Sequence, residues 1–200
     1  MDAALEANAA AGLPSIDVAP NQGKLLHLLA LATGARRVLE VGTLGGYSTL
    51  WLARALPAGG RIVTLEFQAK HAEVARKNLD RAGVGKKVEI RVGPAAESLA
   101  ALVRGKVKPF DLIFIDADKP NNPVYLKFAL KLARRGTVIM IDNVVREGAI
   151  ADARSKDPAV LGTRAMFDML AAEPRLTATA IQTVGSKGYD GFALAVVTKA

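Results

Sequence analysis

Five short runs rich in apolar and β-branched residues recur along the chain, separated by helix-like segments, and this alternation constrains the fold more than any other feature. The runs are RRVLEV (36–41), RIVTLE (61–66), KVEIRV (87–92), DLIFID (111–116) and TVIMID (137–142). Apolar strands without polar alternation are buried on both faces, as in a parallel sheet. Between them lie helical patterns: YSTLWLARAL (47–56), KHAEVARKNLDRAG (70–83, stopped by Gly83), AAESLAALVRG (95–105) and PVYLKFALKLARRG (123–136, stopped by Gly136). Ahead of the first strand, NQGKLLHLLALAT (21–33) predicts a helix with an apolar face, and the first twenty residues are Ala-rich with little pattern. Repeated strand–helix units predict an α/β fold on a mostly parallel sheet. The tail departs from the rhythm. LTATAIQTV (176–184) and FALAVVTK (192–199) flank the glycine-rich link GSKGYDG, which predicts an antiparallel C-terminal hairpin at the sheet edge.

At 200 residues, half of them hydrophobic, the chain is expected to form one domain over residues 1–200. It contains no cysteine, so disulfides, thiolate metal sites and a cysteine nucleophile are excluded. With no signal-peptide pattern and no apolar stretch near the ~18 residues of a membrane span, it reads as cytoplasmic and without membrane association. The net charge of +8 favours anionic partners, nucleic acid among them. Against that, the Lys and Arg residues are scattered, mostly at helix ends where cations complement exposed carbonyls, so nucleic acid is the lesser expectation.

The first strand runs into EVGTLGGYS (40–48), a glycine-rich turn opening a helix. A dinucleotide-binding turn requires G-x-G-x-x-G, and Leu44 occupies the place of its second glycine, which weakens a nicotinamide oxidoreductase reading. Glu40 precedes this turn and Glu66 ends the second strand. The first puts a carboxylate where a positively charged ligand would sit; the second can accept the two hydroxyls of a ribose. The pair points to S-adenosylmethionine, a sulfonium nucleoside. Taken singly, each acid has a plainer role, satisfying turn amides or ending a strand.

The fourth and fifth strands both finish in acids, IDADK and IDNVV. Ligands of open α/β sheets gather at the carboxyl ends of strands. If those two strands are neighbours, their axes lie ~4.8 Å apart, and Asp116 can converge with Asp142 and Asn143 on one ion. Such hard oxygen donors suit Mg²⁺ or another divalent cation, with coordination positions left for a vicinal diol. Lys119 then becomes the candidate base for an acceptor hydroxyl. Each of these residues alone is more commonly a cap, a turn former or a solvated charge; D-x-D-K after one buried strand and D-N after the next is more than capping requires. No G-x-S-x-G turn occurs, and His27 and His71 read as helical surface or core.

In combination, SIDVAPNQGKLL, VLEVGTLGGYS, VTLE, VGPAAESL, FDLIFIDADK, VIMIDNVVREG and GSKGYDGFALA resemble the cation-dependent O-methyltransferases of the catechol and caffeoyl-CoA type, particularly their small bacterial members. The likeness runs from about Leu13 to the end. It implies a doubly wound, seven-stranded methyltransferase sheet whose final strand is antiparallel. It implies that Val18, Glu40, Gly42, Thr43, Ser48, Glu66, Ala95 and Asp118 surround S-adenosylmethionine, with Glu66 on the ribose and Ala95 beside the adenine. By the same likeness Asp116, Asp142 and Asn143 are metal ligands, Lys119 is the base, and the protein is a homodimer acting on a phenolic small molecule. Relatives carry a further helix before the position of Met1, and Val18 offers only its backbone where some have a hydroxyl. A hydroxylated tRNA base as acceptor, and a nucleoside-binding module without catalysis, are the alternative functions on the same fold.

Overall fold

The computed structural model describes residues 1–185 and 188–199. By its internal contacts the chain divides into two compact units, Met1–Ser98 and Leu99–Ala200. Among the described residues seven strands carry the fold, three in the first unit in the order β3-β2-β1 and four in the second in the order β4-β5-β7-β6. The expected α/β class, mostly parallel with an antiparallel C-terminal pair, is what is found.

In the first unit β1 (Arg37–Val41), β2 (Arg61–Glu66) and β3 (Val88–Val92) pair in parallel, β1 with β2 and β2 with β3. The inner residues of β1 and β2 are buried on both faces, whereas β3 is largely uncovered, as befits an edge strand. Helix α1 (Asp2–Ala10) forms from the Ala-rich start, where no pattern was evident. It is tied down by a side-chain chain: Asn8 Nδ2 donates to Asp17 Oδ1 at 2.9 Å, and Asn78 Nδ2 donates to Asn8 Oδ1 at 3.0 Å and to the Gly45 carbonyl at 2.8 Å. Helix α2 (Pro20–Ala32) starts on a proline, whose fixed φ suits the first helical position. Helix α3 (Tyr47–Ala55) follows the glycine-rich turn, and α4 (Ala69–Arg81) buries Ala72, Ala75, Asn78 and Leu79 along one stripe. A 3-10 turn over Gly85–Lys87 leads into β3.

Helix α5 (Ala95–Arg104) spans the division between the units. In the second unit β4 (Phe110–Ile115) and β5 (Ala133–Asp142) are parallel, β5 and β7 (Gly188–Val197) antiparallel, and β7 pairs with β6 (Leu176–Gly185) as a hairpin. Ser186 and Lys187 of the glycine-rich link lie outside the described residues. The hairpin strands are longer than expected, since Tyr189, Asp190 and Gly191 belong to β7 rather than to the link. Helix α6 (Asn122–Leu132) stops four residues before Gly136, and residues 133–136, expected to be helical, are strand. The reason is Thr137: its hydroxyl donates to the Phe110 carbonyl at 2.6 Å and accepts the Arg134 N–H at 2.9 Å, drawing the segment onto β4 with Ala133 opposite Phe110. Helix α7 (Pro158–Ala172) is capped by Asp157, whose carboxylate accepts the Ala159 N–H at 2.8 Å. No helix among the described residues is long and apolar enough to cross a membrane.

Candidate active site

The first unit gathers its predicted residues at the carboxyl ends of β1 and β2. Glu40 is fully buried, and its carboxylate accepts hydroxyl hydrogen bonds from Ser48 (2.6 Å), Thr49 (2.5 Å) and Thr64 (2.6 Å), while Thr43 and Thr64 share a further bond at 2.6 Å. Burial disfavours a carboxylate unless donors surround it, and three hydroxyls supply them. Glu40 thus fixes the start of α3, including Ser48, from inside the sheet.

Glu66 is the second anchor. Its Oε2 accepts the N–H groups of Thr43 at 3.2 Å and Leu44 at 2.8 Å; its Oε1 accepts the Gln68 N–H at 2.9 Å and lies 3.3 Å from His71 Nδ1. The carboxylate therefore stitches the glycine-rich turn to the turn after β2, and it holds Leu44 in the left-handed region (φ 49°) that side chains disfavour. Gly45 is required by its neighbour: a Cβ there would fall 1.8 Å from Asn8 Oδ1. Gly42 and Thr43 lie in the same turn, Val18 is buried just ahead of α2, and Ala95 is the first residue of α5. His71 lies on helix α4, as expected, and from there touches the acid expected to meet the ribose. Phe67, immediately after Glu66, is 67% exposed and offers an aromatic face at the same strand end. An aromatic residue following a strand-terminal acid was the available signal for it.

The second unit answers the question of whether the two acidic strand ends meet. In the parallel β4–β5 ladder Ile115 is opposite Ile141, so the next residues, Asp116 and Asp142, leave adjacent strands side by side. Asp142 is buried and its Oδ1 accepts the N–H of Asn143, whose φ of 54° is left-handed. Lys119 is 7% exposed, and its Nζ donates to Asp116 Oδ1 at 3.0 Å. Asp118, exposed, accepts from Asn121 Nδ2 at 2.5 Å and from the Tyr125 hydroxyl. Burial, and then the bond to Asp118, push the Tyr125 phenol above its ordinary value, so that it stays a donor. Asn122, also buried, has both amide atoms without a partner among the described residues.

Among the described residues no group of three or more His, Cys, Asp or Glu side chains is placed to hold a metal ion. Two carboxylates with a neighbouring amide make a smaller, all-oxygen donor set, one that suits a hard cation retaining other ligands. The paired register of Asp116 and Asp142 and the burial of Asp142 fit such an ion.

Comparisons with known proteins identify the family. The sequence profile of the O-methyltransferase family matches residues 1–196. A catechol O-methyltransferase of Mycobacterium tuberculosis is 59% identical, over 98% of this chain and 87% of its own length, and one of Niastella koreensis is 53% identical over 98% and 88%. The crystal structure of the O-methyltransferase from Bacillus cereus in complex with SAH superposes with a TM-score of 0.97 at 59% identity, covering 98% of this chain and 90% of that one. A family match spanning nearly every residue, with the fold and the strand-end acids in place, establishes that the chain belongs to the O-methyltransferase family.

Proposed function

We propose that the chain transfers the methyl group of S-adenosylmethionine to one hydroxyl of a catechol-like or caffeoyl-like vicinal diol, with Mg²⁺ or another divalent cation bound by Asp116, Asp142 and Asn143. The observation that carries this reading is the β4–β5 register, which leaves Asp116 and Asp142 at adjacent strand ends with Lys119 bonded to Asp116. In this reading residues 1–200 act as one functional domain. The turn of Gly42 and Thr43, the hydroxyl of Ser48, the backbone of Val18, the edge of Ala95 and the carboxylates of Glu40, Glu66 and Asp118 form the donor's surroundings.

A cation held by Asp116, Asp142 and Asn143 would supply positive charge that lowers the pKa of an acceptor hydroxyl. Lys119 Nζ receives the hydroxyl proton. The acceptor oxygen then forms a bond to the methyl carbon as the sulfur–carbon bond breaks, leaving a neutral thioether. Glu40 and Glu66 hold the glycine-rich turn in one conformation, and most of the rate comes from such fixed placement of the two reactants. A phenol panel with S-adenosylmethionine tests the reading: methylated product from vicinal diols, lost with chelator and restored by Mg²⁺, is expected. Full activity in excess chelator would overturn it.

The net charge of +8 favours one other acceptor, a hydroxylated tRNA base. Methylation of tRNA that weakens steeply with salt, together with no turnover of phenols, would replace the small-molecule reading. A homodimer is part of the proposal, supported by the resemblance and by β6, an edge strand exposed along nearly its whole length with Ile181 and Val184 uncovered. Light scattering after size exclusion checks it.

A further inference from the structure

The segment after the proposed cation ligands has an uncommon backbone. Asn143, Arg146 and Glu147 have φ of 54°, 55° and 54°, and Gly148 follows at 87°. Left-handed conformations are disfavoured at non-glycine residues and persist only where the surroundings over-determine them. Here one carboxylate gathers the middle of the segment. Asp190 Oδ1 accepts the N–H groups of Val145, Arg146 and Gly191, each at 2.9 Å. The Val144 N–H donates to the Gly191 carbonyl at 3.0 Å, and the Tyr189 hydroxyl donates to the Glu147 carbonyl. Phe192, two residues on from Asp190, sits opposite Asp142 in the β5–β7 ladder. The loop and its clamp are therefore built on the strand pair that ends in Asp142. Gly191 allows the approach, since a Cβ there would fall 2.6 Å from Val145 Cγ2 and from the Ile181 carbonyl.

We propose that Asp190 is a positioning residue for the cation: by gathering the N–H groups of residues 145 and 146 onto one carboxylate oxygen, it holds the loop in the left-handed course that presents Asn143 beside Asp142. Asp190 is not among the residues proposed to meet either reactant. The inference rests on the reading of Asp116, Asp142 and Asn143 as the cation's donors. Asp190→Ala leaves those N–H groups without an acceptor and frees the loop to relax into ordinary φ. Asp190→Asn keeps an acceptor oxygen in place.

The test uses the full chain and Mn²⁺ as the probe, followed by electron paramagnetic resonance, with amide hydrogen exchange and steady-state kinetics alongside. In Asp190→Ala the Kd for Mn²⁺ and the Mg²⁺ concentration for half-maximal turnover are expected to rise about tenfold or more, the size usual for groups that orient metal ligands. Exchange at Val145 and Arg146 accelerates, and binding of S-adenosylmethionine changes less than about twofold. Asp190→Asn restores most of the Mn²⁺ affinity. Asp190→Ser, whose shorter side chain cannot reach all three N–H groups, is expected to shift the Kd in the same direction and keeps the test open if Asp190→Ala fails to fold. Unchanged Mn²⁺ affinity in the folded variants, with wild type binding Mn²⁺ normally, overturns the role of Asp190 alone. No Mn²⁺ binding by wild type overturns the cation reading itself, and the inference with it.

Discussion

Lys119 Nζ stands 3.0 Å from Asp116 Oδ1, within a single turn whose lysine is almost wholly buried. A buried ammonium on an equally reachable carboxylate could serve merely to neutralise it, so the catalytic and the structural roles must be separated by measurement. Lys119→Met removes the amine at nearly constant length. If Lys119 is the proton acceptor, kcat falls about 10²- to 10⁴-fold, the range typical of a positioned base. Binding of S-adenosylmethionine, read by calorimetry, should change little. A loss shared equally between donor affinity and kcat would make the lysine a structural counter-ion.

Glu40 provides a contrasting prediction, on stability. Its carboxylate serves three hydroxyls in a site closed to water. Glu40→Ala strands those hydroxyls, and each buried group left without its acceptor costs about 1–3 kcal/mol, offset in part by rotation toward other acceptors. The expected net loss is about 3 kcal/mol in urea unfolding, with a smaller one for Glu40→Gln, which keeps an acceptor oxygen. An unchanged urea midpoint for Glu40→Ala would show that the hydroxyls do not depend on it.

These two residues also mark how far the sequence could be read. The strand ends of Glu40, Glu66, Asp116 and Asp142 were legible because apolar runs terminate abruptly in acids, a local signal. That Asp116 and Asp142 are neighbours was legible only as a condition, since register is a tertiary property, here set by the ladder through Ile115 and Ile141. The partners of Glu40 were not legible: Ser48, Thr49 and Thr64 come from a helix and a second strand, and hydroxyls carry no directional pattern in one dimension. Helix α1 was missed because its hold on the fold is polar and long-range, through Asn8 and Asn78. The strand start at Ala133 was missed because Gly136 looked like a helix stop, while a single hydroxyl at Thr137 reassigns the segment. Asp190 lay inside a glycine-rich link that reads as a turn, and its three-fold acceptor role exists only once the hairpin has formed.

A pH dependence of stability follows at the junction of α7 and β6. Arg175 grips Glu173 through Nε and Nη2, both at 2.8 Å, and its backbone N–H donates to the same carboxylate at 3.2 Å. The side-chain bonds first, then the backbone bond, lower the Glu173 pKa to about 2. Because the folded value lies below the unfolded one of ~4.3, the contribution is complete above about pH 5 and is lost as pH falls toward 2. The difference in melting temperature between wild type and Glu173→Gln should be present at neutral pH and vanish near pH 2. The pair is at the surface, so the difference is small and shrinks with salt. A difference that grows on acidification would contradict the assignment.

The last prediction tests how tightly the Lys119 turn is held from behind. Gly162, on α7, is packed so closely that a Cβ there would fall 2.4 Å from the Lys119 carbonyl oxygen and 2.7 Å from Pro120 Cα. Both are backbone atoms, which cannot rotate away as a side-chain end can. Gly162→Ala must therefore move either the helix or the turn. Alanine is the better helix former by about 1 kcal/mol, so a helix free to shift would leave the variant as stable as wild type or slightly more so. The opposite is expected, because α7 is anchored at its start by Asp157 and buries Val160, Thr163 and Met166. Overpacking of this kind costs about 1–3 kcal/mol. Since the displaced atoms belong to Lys119 itself, kcat should fall at least tenfold in samples shown to be folded, for a misplacement near 1 Å is enough to cost that much or more. Donor binding, for which the proposal takes every residue but Asp118 from the first unit, should fall less than kcat. Calorimetry with S-adenosylmethionine beside urea unfolding and steady-state kinetics separates these effects, and a variant with native kcat would mean that the turn tolerates displacement and that its tight backing is incidental.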